Sequence, residues 1–279
     1  MSEAGKTTVA PGVELAWRLN DFTDGWTEPA TVMLLHGIAE TGDAFRTWVP
    51  SLARDFRVLR PDLRGYGGSS PLAEGAALSR PMLADDIAAL VAALRLPRVH
   101  VVGTKLGAQV ALELAQRQPP WLASLTLAGV LISPGHALGA WVETWIDLVE
   151  RTGVEGWARS TMPGRMGTAL APEAMEWWAA FMGQAPAATV KACFRMLPDL
   201  HEPEHLERIA CPVLVIATVR PAPPGEFNQR QPAEEVQRWQ RRIPRSVLRK
   251  IEADSYHVAA THPDECAALV RGFIKEIPT

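Results

Sequence analysis

The sequence has few cysteines, and their spacing excludes two classes of site. The 279 residues include three cysteines, Cys193, Cys211 and Cys266, which lie far apart along the chain. They make no metal-ligand pair and no disulfide framework. We therefore expect three small buried side chains, no metal site and no cofactor.

Long apolar runs and basic runs are also missing. No apolar run reaches the roughly 18 residues that span a bilayer, and the first residues, MSEAGKTTVAPG, form no apolar signal segment. The net charge is −3 and the charges are mixed, without a Lys/Arg-rich stripe. The sequence thus predicts a cytoplasmic protein that binds neither membrane nor nucleic acid. The expected partner is a small-molecule substrate. The formation of a homodimer is left open by the sequence.

What the sequence does contain is an alternation of short apolar runs with helical patterns. Apolar residues at Ile87, Leu90, Val91 and Leu94 share one helix face. Continuous apolar strands separated by helices predict a parallel sheet covered on both faces, with ligands bound beyond the carboxyl ends of the strands. The predicted strands are residues 31–37, 56–62, 98–104, 122–132, 212–218 and 246–252, and the predicted helices begin near 106, 232 and 263.

The alternation stops between residues 134 and 209. That segment is helical in pattern and contains five of the ten tryptophans. It predicts a cap inserted over the catalytic end of the sheet, which would enclose an apolar pocket and exclude water. A plain helical extension with buried aromatics is the alternative. The predicted pocket residues are Trp141, Trp145 and Trp177, with His36 and Tyr256 from the core.

The stretch VVGTKLGAQVAL, residues 101–112, carries the most specific signal. An apolar strand runs into Gly103, and a helix follows from Gly107 onward. Such a sharp turn lifts its middle side chain above the sheet, and the glycines let neighbouring backbone pass closely. The middle residue is Lys105, where many enzymes carry serine. The backbone N–H groups of Ile38 and Leu106 are placed to form an oxyanion hole.

Four segments together resemble the α/β-hydrolase family over essentially the whole chain. They are LLHGIAETGDAFRTW, RPDLRGYGGSS, VVGTKLGAQVAL and YHVAATHPDECAALVRGFI. The cap and the segment GVEGWARSTMPGRM are most similar to the branch that contains 3-oxoadipate enol-lactonases. The resemblance implies an α/β-hydrolase fold: a mostly parallel eight-stranded sheet flanked by helices, with a core at 1–133 and 210–279 and a helical cap at 134–209. It places the nucleophile at Lys105 and the histidine at His257.

The sequence departs from that family at two positions. Lysine replaces the nucleophile, and Pro221 stands where the resemblance places the triad acid. Glu40, Asp254 and Glu226 are the candidate acids or charge partners.

A lysine at this turn changes the expected chemistry. The N-terminus of a helix and an apolar cap both disfavour the ammonium form, so the pKa of Lys105 should be lowered. Attack on an ester would leave a stable amide, so an ordinary acyl-enzyme is not expected. Imine formation with an apolar carbonyl compound is reversible, and it favours the chemistry of a C–C lyase, a decarboxylase or a cyclase, with His257 moving protons.

Other interpretations stay open at this point. Lys105 could act without a covalent bond in a hydrolase of esters or lactones. The chain could also be a degenerate enzyme that only binds a small ligand, or an elbow mutated to silence a hydrolase. The sequence does not name the substrate.

Overall fold

The computed structural model describes residues 1–221 and 231–278, which form one eight-stranded sheet flanked by helices. The strand order is β1-β2-β4-β3-β5-β6-β7-β8. The first three of these strands pair antiparallel, and the other pairs are parallel. The strands are β1 (Ser2–Ala10), β2 (Val13–Asn20), β3 (Thr31–Leu35), β4 (Arg57–Pro61), β5 (Val99–Thr104), β6 (Leu122–Ala128), β7 (Val213–Thr218) and β8 (Ser246–Ile251).

The central strands form because their side chains are buried on both faces. Every residue of β3, β5 and β7 is buried, as expected for a parallel sheet between two helical layers. The N-terminal hairpin of β1 and β2 has a mixed pattern of burial. No continuous apolar run marks that hairpin, so the residue pattern did not locate it.

One predicted strand is shorter than expected. Residues 122–132 were predicted as a strand, but β6 ends at Ala128. Gly129 follows with φ +59, and a Cβ there would lie 2.2 Å from the carbonyl oxygen of Tyr256. The chain therefore turns at a position that favours glycine, and the apolar residues after it belong to the loop that leads to the next helices.

The helices cover the sheet and form the segment between β6 and β7. They are α1 (Val49–Leu52), α2 (Arg80–Ala93), α3 (Leu106–Arg117), α4 (Pro134–Leu138), α5 (Val142–Met166), α6 (Pro172–Gly183), α7 (Ala187–Met196), α8 (Ala233–Gln240), α9 (Val258–Thr261) and α10 (Pro263–Lys275). In the described residues, short 3₁₀ helices accompany them at Gly42–Phe45, Gly139–Trp141, Leu197–Asp199 and Leu206–Arg208. None of the helices in residues 1–221 and 231–278 is long and apolar enough to cross a bilayer.

The inserted segment is anchored to the loop that carries His257. The long helix α5 is interrupted at Gly153, whose φ of 73° and ψ of 175° are not helical. Its last turn reaches the core, where the carbonyl of Arg165 accepts a hydrogen bond of 2.9 Å from the backbone N–H of His257. Asp254 accepts hydrogen bonds from the N–H and hydroxyl of Thr168, just beyond α5. These contacts hold α5 at the carboxyl end of the sheet.

Candidate active site

The turn between β5 and α3 is strained in a way that presents Lys105. The residue has φ 52° and ψ −115°, a conformation that non-glycine residues adopt rarely. A Cβ on Gly107 would lie 2.0 Å from the carbonyl oxygen of Leu35, and one on Gly103 would lie 2.5 Å from the carbonyl oxygen of Gly107. Both glycines are thus required, because strand and helix backbones pass too closely for a side chain.

The Lys105 side chain ends on a carboxylate inside the protein. Its Nζ donates to Oε1 of Glu40, and the two side chains are 6% and 0% exposed. Glu40 Oε2 accepts a hydrogen bond of 3.0 Å from the N–H of Gly37. Of the three carboxylates predicted as partners, the structure brings Glu40 to Lys105.

His257 joins the same carboxylate from the other side. Its Nε2 lies 3.0 Å from Glu40 Oε1, a close electrostatic contact whose angles are poor for a hydrogen bond. Glu40 therefore lies between the two predicted catalytic side chains. Nδ1 of His257 has no hydrogen-bond partner among the residues that the structure describes. In a Ser-His-Asp triad this is the ring nitrogen that donates to the acid.

The other two candidate acids, Asp254 and Glu226, are not found next to Nδ1 of His257 in the described residues. Asp254 is engaged by Thr168 at the end of α5, so its carboxylate stabilises the anchor of that helix. Glu226 lies outside the described residues, and Pro221 carries no carboxylate.

Burial and charge set the protonation states of the three groups. Burial lowers the pKa of Lys105 from 10.5 to about 8, against the opposing pull of Glu40. Burial alone would raise the pKa of Glu40, but Lys105 and His257 outweigh it and hold that pKa well below its ordinary range. Burial and the Lys105 charge lower the pKa of His257 to about 4. At pH 7 the site consists mostly of an ammonium, a carboxylate and a neutral imidazole.

Gly37 lies directly against this ion pair, which gives a first prediction. A Cβ there would meet Cε of Lys105 at 2.6 Å and both carboxylate oxygens of Glu40 at 3.1 Å. We expect Gly37→Ala to displace the pair and to lower the free energy of unfolding by about 1–3 kcal/mol, as overpacking usually does. Urea denaturation measures the change. Gly25→Ala is the matched control, since nothing lies within 4 Å of a Cβ there, and an equal loss in both variants would contradict the prediction.

The predicted oxyanion donors lie beside Lys105. Ile38 and Leu106 both line the cavity that Lys105 faces. Among the described residues, neither backbone N–H donates to a protein acceptor. Leu106 is the first residue of α3 and Ile38 lies in the loop after β3, and two such N–H groups without a protein partner are suited to a developing negative charge.

The cavity is mostly apolar, with a volume of about 40 Å³. Of the predicted pocket residues, Trp145 and Tyr256 line it, whereas Trp141, Trp177 and His36 do not. Trp177 lies instead in an outer groove, 41% exposed, with the Arg46 guanidinium 3.7 Å from its ring centre.

His36 is a structural residue in the loop that positions Glu40. Its Nδ1 lies 2.8 Å from the carbonyl of Gly37, and its Nε2 accepts a 2.9 Å hydrogen bond from the N–H of Leu63. These contacts assign the proton to Nδ1 and fix the loop after β3. The ring is buried and does not reach the cavity, which corrects its predicted place.

Sequence reasoning missed two cavity residues on α5, Trp157 and Arg165. Arg165 is 2% exposed, and its guanidinium carbon lies 4.6 Å from the centre of the Trp157 ring. The two residues are eight positions apart, with the buried Thr161 between them, so they share one helix face. A lone cation on an apolar helix face was the signal that could have revealed this pair.

Comparisons with known proteins agree with this architecture. The sequence profile of the α/β-hydrolase fold family matches residues 30–159. A candidate carbamate hydrolase of Rhizobium rhizogenes is 30% identical over 47% of this chain, and the match covers 49% of that protein. The chain thus spans about half the length of the first curated relatives it matches.

Solved structures match over the whole chain. An esterase from Thermogutta terrifontis is 25% identical, with a TM-score of 0.83 over 99% of this chain and 100% of its own. An enol-lactonase from Burkholderia xenovorans is 17% identical, with a TM-score of 0.83 over 98% of this chain and 100% of its own. The second likeness concerns the fold alone. The predicted fold class is confirmed, and these similar proteins are hydrolases.

Proposed function

We propose that this chain, which has the α/β-hydrolase fold, hydrolyses a small ester or lactone without an acyl-enzyme. The observation that carries this proposal is the position of Lys105. Its Nζ is held by Glu40 at the edge of an apolar cavity, beside the N–H groups of Ile38 and Leu106. The substrate class follows from the hydrolases among the similar proteins, and the absence of an acyl-enzyme follows from the lysine.

Covalent chemistry at Lys105 is disfavoured by the same ion pair. To attack a carbonyl carbon, Nζ must leave Glu40, whose carboxylate is completely buried, whereas an amine that only transfers a proton can stay in place and still donate a hydrogen bond to it. A buried carboxylate that loses its donor is costly, and this cost applies to imine formation as well as to acylation. Acylation would also end in an amide. Imine or lyase chemistry, the first expectation from the sequence, is therefore the weaker interpretation.

The lowered pKa suits Lys105 to proton transfer instead. A pKa of about 8 leaves roughly a tenth of the amine neutral at pH 7. A general base works best when its pKa lies near the working pH, and buried lysines reach this range. Neutral Nζ accepts a proton from water as the water oxygen bonds to the carbonyl carbon. The resulting ammonium returns that proton to the alkoxide as the bond to the leaving group breaks.

The surrounding groups have distinct parts in this reaction. The N–H groups of Ile38 and Leu106 bind the oxyanion of the tetrahedral intermediate. Glu40 holds Nζ in place, and its contact with His257 fixes the imidazole beside the amine. A pKa of about 4 makes His257 a weak base, so we assign it no proton transfer. Its role is to position Glu40, which it contacts through Nε2. The missing triad acid is then no obstacle to turnover.

The pH dependence of hydrolysis tests this proposal. We expect kcat/KM for short acyl esters and small lactones to rise tenfold per pH unit below about pH 8 and to level off above it, since Lys105 must lose its proton. The measurement is a pH-rate profile from pH 6 to 10 at constant ionic strength. A limb near pH 6.5, typical of an activated histidine, would contradict it, as would a covalent adduct in the intact mass after turnover.

The unpartnered Nδ1 of His257 favours a second candidate, a protein that binds a small ligand without converting it. The usual acid position is occupied by Pro221, so the standard triad is incomplete. Ligand binding in calorimetry, with no hydrolysis across the panel at any pH, would favour this second function over the first.

A further inference from the structure

The cavity contains a buried guanidinium that the proposed reaction does not use. Arg165 lines the cavity and is 2% exposed, yet no carboxylate lies within ion-pair distance of it in residues 1–221 and 231–278. A buried charge is normally paired, because removing it from water is costly. A buried charge that is unpaired and faces a cavity is therefore suited to bind a ligand of opposite charge.

Within residues 1–221 and 231–278, the Arg165 side chain contacts only neutral groups. Its Nη2 donates to the carbonyl of Ala158 at 2.9 Å and to the hydroxyl of Thr161 at 2.7 Å. Among the described residues its Nη1 meets only the sulfur of Met182, at 3.3 Å, which is a weak acceptor. These contacts hold the guanidinium in place without neutralising it, and Nη1 keeps capacity for a stronger acceptor.

The charges around the cavity leave a positive excess. In the described part of the chain, Lys105 and Arg165 are the cations that line the cavity, Glu40 is the carboxylate that acts on both, and His257 is neutral. Glu40 is already shared between Lys105 and His257. A monoanionic ligand would balance the site.

A second observation points to the same place. The indole Nε1 of Trp157 is buried, and in the described part of the chain it has no hydrogen-bond partner. Trp157 lines the same cavity and stacks against the Arg165 guanidinium. An unpartnered donor beside an unpaired cation fits an acceptor that carries negative charge.

We propose that Arg165 and the indole N–H of Trp157 form a subsite for a carboxylate. The substrate would then be a small ester or lactone that carries a free carboxylate, held by α5 while its acyl carbon lies at Lys105. This inference rests on the proposed function for the reacting bond, but the anion subsite itself is tested by binding alone.

Titration calorimetry with butanoate and butanamide tests the subsite. The two ligands have nearly the same shape and differ in charge. We expect the wild type to bind butanoate at least about 10-fold more tightly than butanamide, since charged hydrogen bonds are the strong ones. Arg165→Met should lose this preference, and Trp157→Phe should weaken butanoate binding several-fold. Arg46→Met is the matched control, because it removes a guanidinium stacked on Trp177 outside the cavity, and it should leave the preference unchanged.

Two results would overturn the proposal: equal affinity of the wild type for both ligands, or a butanoate preference that survives in Arg165→Met. If that variant does not fold, Arg165→Gln removes the charge while keeping donors for Ala158 and Thr161, and the same outcomes apply. Failure of hydrolysis with retained butanoate preference would refute the proposed reaction and leave the subsite standing.

Discussion

Glu40→Gln is expected to lower the free energy of unfolding by about 3–5 kcal/mol at pH 7, the usual cost of breaking a buried ion pair from one side. The substitution keeps the volume of the side chain but removes the charge that compensates Lys105. Burial already lowers the pKa of this lysine to about 8, so without Glu40 the amine must lose its proton or remain as an unpaired ammonium. Urea denaturation monitored by fluorescence measures the difference.

A second substitution separates charge from packing. In the double variant Glu40→Gln with Lys105→Met, neither group is charged, and we expect most of the lost stability to return. Asp147→Asn is the exposed control, because Asp147 pairs with Arg151 on the solvent side of α5 and its loss should cost no more than about 0.5 kcal/mol. A Glu40→Gln variant as stable as this control would show that the buried pair contributes little.

The stability of the wild type should also depend on pH through Lys105. The folded pKa of about 8 lies below the ordinary 10.5, so between these values the unfolded chain binds more protons than the folded one. The buried ammonium lowers the free energy of unfolding at neutral pH. This free energy therefore increases as pH rises from about 8 to 10.5. Unfolding curves at several pH values should show this rise in the wild type and its absence in Lys105→Met.

The fold was predictable because its determinants are local. Buried runs such as Val99–Thr104 mark the central strands, and the spacing of Gly103 and Gly107 marks the turn that carries Lys105. The direction of the Lys105 pKa shift was also predictable, because it follows from burial. Predicting these features requires only the sequence of one strand and the helix that follows it.

The composition of the site was less predictable because it depends on distances between loops. Glu40, Asp254 and Glu226 were all candidates in the sequence, with Glu40 as the expected partner of Lys105, but the path of the chain after β3 decides that Glu40 reaches both Lys105 and His257. Trp177 was expected in the pocket, but it lies on the outer face of α6 beside Arg46. The sequence shows which residues are apolar, but not which face of a short helix meets the cavity.

Lys105→Met is expected to reduce kcat/KM by about 10²–10⁴-fold on any substrate that the wild type hydrolyses, which is the usual contribution of a general base. The methionine fills a similar volume, so the cavity should keep its shape. The oxyanion donors of Ile38 and Leu106 remain and account for the residual rate. Initial rates measured near the wild-type optimum provide the comparison.

Lys105→Arg distinguishes a proton-transfer group from a fixed charge. Arginine keeps a positive charge next to Glu40 but does not lose its proton in the accessible pH range. If Lys105 transfers the proton of water, the arginine variant should be as inactive as the methionine variant while remaining closer to the wild type in stability. If the amine only supplies charge, Lys105→Arg should keep most of the activity and Lys105→Met should not. Thermal unfolding of each variant at pH 7 shows whether the loss lies in chemistry or in folding, because an arginine variant that is stable and inactive leaves proton transfer as the lost step.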